Sequence, residues 1–130
     1  MKVPVAAAAC TAAFLLLDAT WLGLAGPRLY QPAIGHLMRP DVQWGAAALF
    51  YLVYIAGLMA FAIVPATGAR NAARRGACFG LVAYATYDLT CQATMKDWPW
   101  LITVVDLAWG TFASAVACAV AAAVALRQRR

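Results

Sequence analysis

Charged side chains are scarce in this chain: they make up 12% of its 130 residues, and only five of them are acidic. A soluble domain carries about 25% charged residues and roughly 45–50% apolar ones. Here the hydrophobic fraction is 65%, and ten basic and five acidic groups are too few to solvate the surface of a globule of this length. The composition therefore excludes an ordinary soluble domain and favours a protein surrounded by lipid.

Motifs for metal or nucleic acid are also missing. The four cysteines (Cys10, Cys78, Cys91 and Cys118) stand singly in apolar runs without a C-x-x-C pair, which is typical of small packing residues. The single histidine, His36, is expected to be an ordinary loop residue. The net charge of +5 comes from basic residues at segment ends, with no aromatic residues interleaved, so no nucleic-acid partner is indicated. The sequence names no cofactor.

Four apolar stretches are long enough to cross a bilayer, which takes about 20 residues. They cover about residues 3–24, 44–64, 76–95 and 100–126. They predict an all-α bundle of four transmembrane helices, with residues 1–130 forming a single integral membrane domain. Asp18 interrupts the first stretch, which argues against a cleaved signal peptide, so this stretch is predicted to remain in the mature protein.

Basic residues in the short flanks predict the orientation, because cytoplasmic flanks are enriched in lysine and arginine. With both termini on one side, seven basic residues lie on that side and three on the other. The seven are Lys2, Arg70, Arg74, Arg75, Arg127, Arg129 and Arg130, and the three are Arg28, Arg39 and Lys96. Both termini are therefore predicted to be cytoplasmic, with the connections 26–43 and 96–99 outside.

Three of the five acids, Asp18, Asp88 and Asp106, lie inside predicted spans. Each would cost roughly 2.5–3.5 kcal/mol at the centre of a lipid-facing helix, so all three should face the bundle interior. Counted at about 1.5 Å per residue from the outer helix ends, the three carboxyls are predicted at one depth, roughly 9–11 Å below the outer boundary. They are the candidate catalytic residues of a shared pocket.

Aromatic and hydroxyl side chains near that depth are the candidate ligand-binding residues. They are Trp21, Tyr51, Tyr54, Tyr84, Tyr87, Thr90 and Trp109. On each of two helices, a tryptophan lies one helical turn after an aspartate. A simpler interpretation is that the acids only hydrogen-bond to hydroxyl groups and fix the packing, at about 0.6–2 kcal/mol each. A metal site is not predicted, because no histidine or glutamate accompanies the acids.

Small residues recur every four positions in the other half of the bundle. Gly76 and Gly80 open the third helix, and the fourth carries Ala113, Ala117, Ala121 and Ala125. Such spacing lets helix backbones approach closely. The inner half is therefore predicted to be tight and dry. Whether the stripe seals a monomer or a homo-oligomer stays open.

Several segments together resemble a family of small bacterial integral membrane proteins of unknown function. The resemblance covers nearly the whole chain and rests on FLLLDATWLG at 14–23, Tyr51…Tyr54…Gly57 with Phe61-Ala62 and Pro65, YATYDLT at 84–90, Trp98-Pro99, and DLAWG at 106–110. It implies four helices in a bacterial inner membrane and brings no activity. Cys91 follows Thr90 where the family pattern usually has asparagine, and whether Gln92 replaces that amide near Asp88 stays open.

Three functions remain compatible with these features. The favoured one is a pocket that binds a lipid-phase or amphiphilic ligand or modifies it by acid–base chemistry, because a carboxyl in an apolar site can stay protonated and act as an acid. A small proton- or cation-coupled transporter is the second, since intramembrane acids are the usual proton relay. A structural partner subunit is the third.

Overall fold

Four long helices make up most of the chain in the structure, a computed structural model that describes residues 1–127. We number them α1 (Val3–Ala25), α2 (Trp44–Leu58), α3 (Ala69–Thr94) and α4 (Trp100–Arg127). Residues 1–127 contain no strand. The prediction of an all-α bundle of four helices is confirmed.

The first helix runs further than hydropathy indicated. After Ala25 the chain continues through a π-helical turn (Gly26–Tyr30), an α-helical turn (Gln31–Ile34) and a 3-10 turn (Gly35–Leu37). The prediction of a connection starting at residue 26 is therefore wrong, and the irregular part begins after Leu37. Pro27 and Pro32 misled the prediction, because proline usually ends a helix, whereas here Pro27 lies in the π-helical turn and Pro32 in the α-helical turn that follows it.

The second and third helices also differ from their predicted limits. The α-helical part of α2 ends at Leu58 and is followed by a π-helical turn, Met59–Ile63. Helix α3 begins at Ala69, seven residues before the predicted start. Hydropathy finds only the apolar part of a helix, whereas arginine is a good helix former and extends α3 beyond that part. The Asn71 side chain supports this first turn by accepting hydrogen bonds from the Thr67 backbone N–H and Arg75 Nε, both at 3.1 Å.

Among residues 1–127, three helical segments are long and apolar enough to cross a membrane, namely Val3–Leu37, Trp44–Ile63 and Trp100–Arg127. Helix α3 is less apolar because arginines open it and polar residues fill its second half. It is nevertheless 26 residues long, about 39 Å at the usual helical rise, and packs antiparallel along α4 after a five-residue turn. The chain thus forms a helical membrane bundle in which α4 shields one side of the least apolar helix.

Helices α3 and α4 approach so closely that they have no room for side chains at two glycines. A Cβ atom on Gly76 would lie 2.6 Å from the Ser114 carbonyl oxygen, and one on Gly80 would collide with the Gly110 carbonyl oxygen. The alanines that recur on α4 are also fully buried: Ala113, Ala117, Ala121 and Ala125. The predicted tight half of the bundle is confirmed, as small residues at the interface allow.

Helix α1 packs against α4, whereas α2 stands partly apart from α3. The backbone of α2 comes close to α3 at its π-helical turn, Met59–Ile63, but not along Trp44–Leu58. The two helices therefore diverge toward the α3–α4 turn and leave an opening, which we call the α2–α3 groove.

Candidate functional site

Two carboxyl groups meet where α3 and α4 face each other. Asp88 is fully buried, and neither of its oxygens has a hydrogen-bond donor within residues 1–127. Asp106 lies opposite it, because the antiparallel register pairs Gly80 with Ser114 and Tyr84 with Gly110, and the next turn brings residue 88 to residue 106. Ionised carboxylates have no donor to offer each other, so neither acid satisfies the other in that state. We call Asp88 and Asp106 the acid pair.

A tyrosine beyond the end of α1 completes the surroundings of Asp106. Tyr30, the last residue of the first π-helical turn, donates its hydroxyl hydrogen to Asp106 Oδ1. The indole N–H of Trp21 in turn donates to the Tyr30 hydroxyl oxygen at 3.1 Å. The π-helical turn thus links α1 to the acid pair through a chain of two hydrogen bonds.

Asp18 forms a separate contact with α2. It is 8% exposed, and its Oδ2 atom accepts a hydrogen bond from the Tyr51 hydroxyl. Together with the packing of the Phe14 ring against Tyr51 and Tyr54, this hydrogen bond joins α2 to α1.

The three acids are all buried, but they do not share one level. The rings of Trp21 and Trp109 are stacked with centroids 4.7 Å apart, which sets the antiparallel register of α1 and α4. Asp18 and Asp106 lie three residues from this stack in opposite directions, so they are separated by about 9 Å along the helix axes. The expectation of one common depth is therefore wrong. That expectation assumed that the first helix ends at Leu24, whereas its helical segment extends to Leu37.

The α2–α3 groove gives access to the acid pair from the side of the bundle. It has a volume of about 430 Å³, within the range typical of ligand sites. Its lining is Phe50, Tyr54, Ala83, Tyr84, Tyr87 and Asp106. Phe50 and Tyr87 at its rim are 45% and 58% exposed on a surface that lies in the bilayer. The groove is apolar except for tyrosine hydroxyls and one carboxyl.

The predicted aromatic residues fall into three groups. Tyr54 and Tyr84 form the groove wall with their rings edge to face, and the Tyr54 hydroxyl lies 2.5 Å from Ser114 Oγ. Tyr51 binds Asp18. Trp21 and Trp109 stack on the far side of α4, outside the groove, and the Trp109 indole nitrogen is buried without a partner among the described residues.

Thr90 lies outside the groove. Its side chain is exposed and donates to the carbonyl oxygen of Thr86 at 2.5 Å, as threonines within helices commonly do. Two residues along a helix turn the side chain by about 200°, so Thr90 points away from the face that carries Asp88.

A polar network closes the bundle between the acid pair and the α3–α4 turn. Gln92 donates to the Trp98 carbonyl oxygen at 2.7 Å and accepts from the Thr103 hydroxyl at 2.8 Å. The indole of Trp98 packs with Ile34 and Ile102 in a small apolar cluster. Since these bonds engage the Gln92 amide, it does not replace the missing asparagine beside Asp88. The acid pair is thus covered from this end and open toward the lipid.

Sequence reasoning missed Phe50 of the groove and Tyr30 beside Asp106. Tyr30 lies in a segment with two glycines and two prolines that resembled a loop. The signal that could have found Tyr30 is that proline is tolerated in the first turn of a helix, so Pro27 and Pro32 are compatible with further helical turns.

The fold and the buried acids define an all-helical membrane protein with ionisable groups in its interior. Residues 3–124 match the family described as "Predicted membrane protein (DUF2177)", and the chain belongs to this family, whose function is unknown. No curated protein and no solved structure matches the chain.

Proposed function

We propose that this protein binds an amphiphilic ligand that enters the α2–α3 groove sideways from the bilayer, with its polar head at Asp106. The observation that carries the proposal is the groove itself, whose wall is apolar along its length and ends at a carboxyl group. An alkyl chain can pack along the apolar groove wall, and a polar head group can bind to the carboxyl.

The state of Asp88 favours a ligand site over a purely structural role. A buried polar group without a partner costs about 1–3 kcal/mol, so packing alone gives no reason to keep it. Asp18, by contrast, has the tyrosine donor that a structural acid needs. Acid–base chemistry on the bound ligand is a further candidate, since a carboxyl group in an apolar site can act as a general acid.

The packing of the other half favours binding over transport. Below the acids the described helices meet through glycines and fully buried alanines, which leave little space for a polar path between α3 and α4. With both termini in the cytoplasm, as the basic residues predict, the groove lies in the outer half of a bacterial inner membrane.

Photolabelling in lipid nanodiscs tests the proposal. The probe is hexadecanol with a diazirine in the middle of its chain, and mass spectrometry locates the adducts. We expect saturable labelling on the groove-lining stretches of α2 and α3. Ala83→Trp places a large side chain in the groove and should lower that labelling severalfold.

Ala56→Trp is the matched control, because Ala56 is an exposed alanine of α2 that does not line the groove. It should leave the labelling unchanged. Adducts spread evenly around the bundle, without saturation by unlabelled hexadecanol, would refute a specific site in the wild-type protein, whatever the variants do.

A further inference from the structure

We infer that the polar head bound at the acid pair is an ammonium group carrying N–H donors, as in a long-chain primary amine or an ethanolamine head. This inference rests on the proposed binding function of the α2–α3 groove and names the class of its ligand. Three features of the site lead to it: the balance of charge, the unused oxygens of the acid pair and the aromatic wall.

The acid pair has no cation of its own. Within residues 1–127, no lysine or arginine forms an ion pair with Asp88 or Asp106. The one ion pair in this part of the chain joins His36 Nε2 to Asp97 Oδ2 at 3.6 Å. The basic residues of the described part lie near helix ends or in the connections, except Arg28, which lies in the π-helical turn after α1. A positive charge in the groove would therefore have to come from the ligand.

The acid pair also has unused acceptors. The two oxygens of Asp88 accept nothing, and of the Asp106 oxygens only Oδ1 has a donor, the Tyr30 hydroxyl, within the described chain. Asp88 is fully buried and lies opposite Asp106 in the register of α3 and α4, and Asp106 lines the groove. A primary ammonium group brings three donors. It can bond to Asp106 and compensate the negative charge of the acid pair.

The groove wall suits a cation as well as an alkyl chain. The rings of Tyr54, Tyr84 and Tyr87 all line it, and the negative face of an aromatic ring attracts ammonium groups, more strongly when water is excluded. Neighbouring Phe50 adds a further ring at the rim.

Other head groups fit less well. A phosphate or carboxylate would be repelled by the acid pair. The described residues contain no group of three metal-ligating side chains. A hydroxyl head can donate one hydrogen bond but supplies no charge.

Competition against the photoreactive hexadecanol tests the inference with intact protein in nanodiscs. The competitors are dodecylamine, dodecylphosphoethanolamine, dodecyltrimethylammonium and dodecanol. A charge-assisted hydrogen bond that replaces a neutral one should make dodecylamine about 10-fold more effective than dodecanol in the wild-type protein. Dodecyltrimethylammonium, which has the charge but no N–H donor, should fall between them.

Comparing the amine-to-alcohol ratio between the wild-type protein and its variants cancels the different lipid partitioning of the two competitors. Asp106→Asn should bring the amine-to-alcohol ratio close to 1, whereas Asp41→Asn, the same change at an exposed acid outside the helices, should leave it unchanged. Strong competition by dodecylphosphoethanolamine would assign the ammonium group to a phospholipid head, and weak competition would assign it to a free amine.

Two results would overturn the inference while leaving the proposed function intact. One is equal competition by dodecylamine and dodecanol in the wild-type protein. The other is an amine preference that Asp106→Asn does not change. If instead no competitor lowers the groove labelling, the binding function itself fails.

Discussion

The five tyrosines of the chain offer a series in which one chemical change meets different surroundings. Tyr→Phe removes only a hydroxyl group. Tyr30 and Tyr51 each donate a hydrogen bond from that hydroxyl to a buried carboxyl, and Tyr54 shares its hydroxyl with Ser114. Tyr87 has only the Cys91 thiol, a weak hydrogen-bonding group, beside its hydroxyl. The series therefore separates strong hydrogen bonds that hold the bundle together from a weak one at the rim of the groove.

The expected magnitudes follow from these partners. A hydrogen bond to a charged group contributes about 1.5–3 kcal/mol in soluble proteins, and bonds between membrane helices contribute about 0.6–1.7 kcal/mol. We expect Tyr30→Phe and Tyr51→Phe each to lower the free energy of unfolding by about 1–2 kcal/mol, because each also leaves a buried acid without its donor. Tyr54→Phe should cost less than about 1 kcal/mol, and Tyr87→Phe close to nothing.

Reversible unfolding in mixed micelles of mild detergent and dodecyl sulfate measures these differences, with helicity as the signal. The four variants share one host and one substitution, so their order matters more than their absolute values. If Tyr51→Phe unfolds at the same dodecyl sulfate fraction as Tyr87→Phe, the tyrosine–carboxyl bonds do not stabilise the bundle, and the reasoning that separates Asp18 from the acid pair fails.

Two further predictions concern the packing and the orientation of the helices. Gly80→Ala should destabilise the bundle by about 1–3 kcal/mol, because the new methyl group collides with the α4 backbone. Gly23→Ala has open space around it and should stabilise its helix by about 1 kcal/mol. Equal shifts of the unfolding temperature for the two variants would contradict the close contact of α3 and α4. A cysteine introduced at Lys96 should react with an impermeant maleimide added outside intact cells, and one at Arg70 should not, because the excess of basic residues marks the cytoplasmic side. The reverse labelling pattern would invert the orientation.

Hydropathy and spacing were sufficient for the architecture. Scarce charge, four apolar stretches and small residues at every fourth position predicted a bundle with one tight half, and Gly76, Gly80 and the alanines of α4 lie where that pattern indicated. Lipid makes such predictions reliable because every backbone group must be satisfied within the helix, which leaves few alternatives. Helix ends were predicted less well, because proline and arginine change hydropathy without ending a helix.

The site was predicted only in part. The high cost of an acid in lipid correctly indicated that Asp18, Asp88 and Asp106 would be buried. It could not indicate their partners, since partners come from other helices and depend on register. The structure divides the three acids into a pair and a single residue, adds Tyr30, and leaves Thr90 on the outer surface.

Local composition thus determined that the chain enters the membrane as helices and which of its acids must turn inward, because these outcomes depend on the transfer of each residue between water and lipid. The pairing of Asp88 with Asp106, the bond from Tyr51 to Asp18 and the divergence of α2 from α3 were decided only by packing. They depend on how far each helix extends and how closely its neighbour approaches, and a single residue's chemistry carries no information about either.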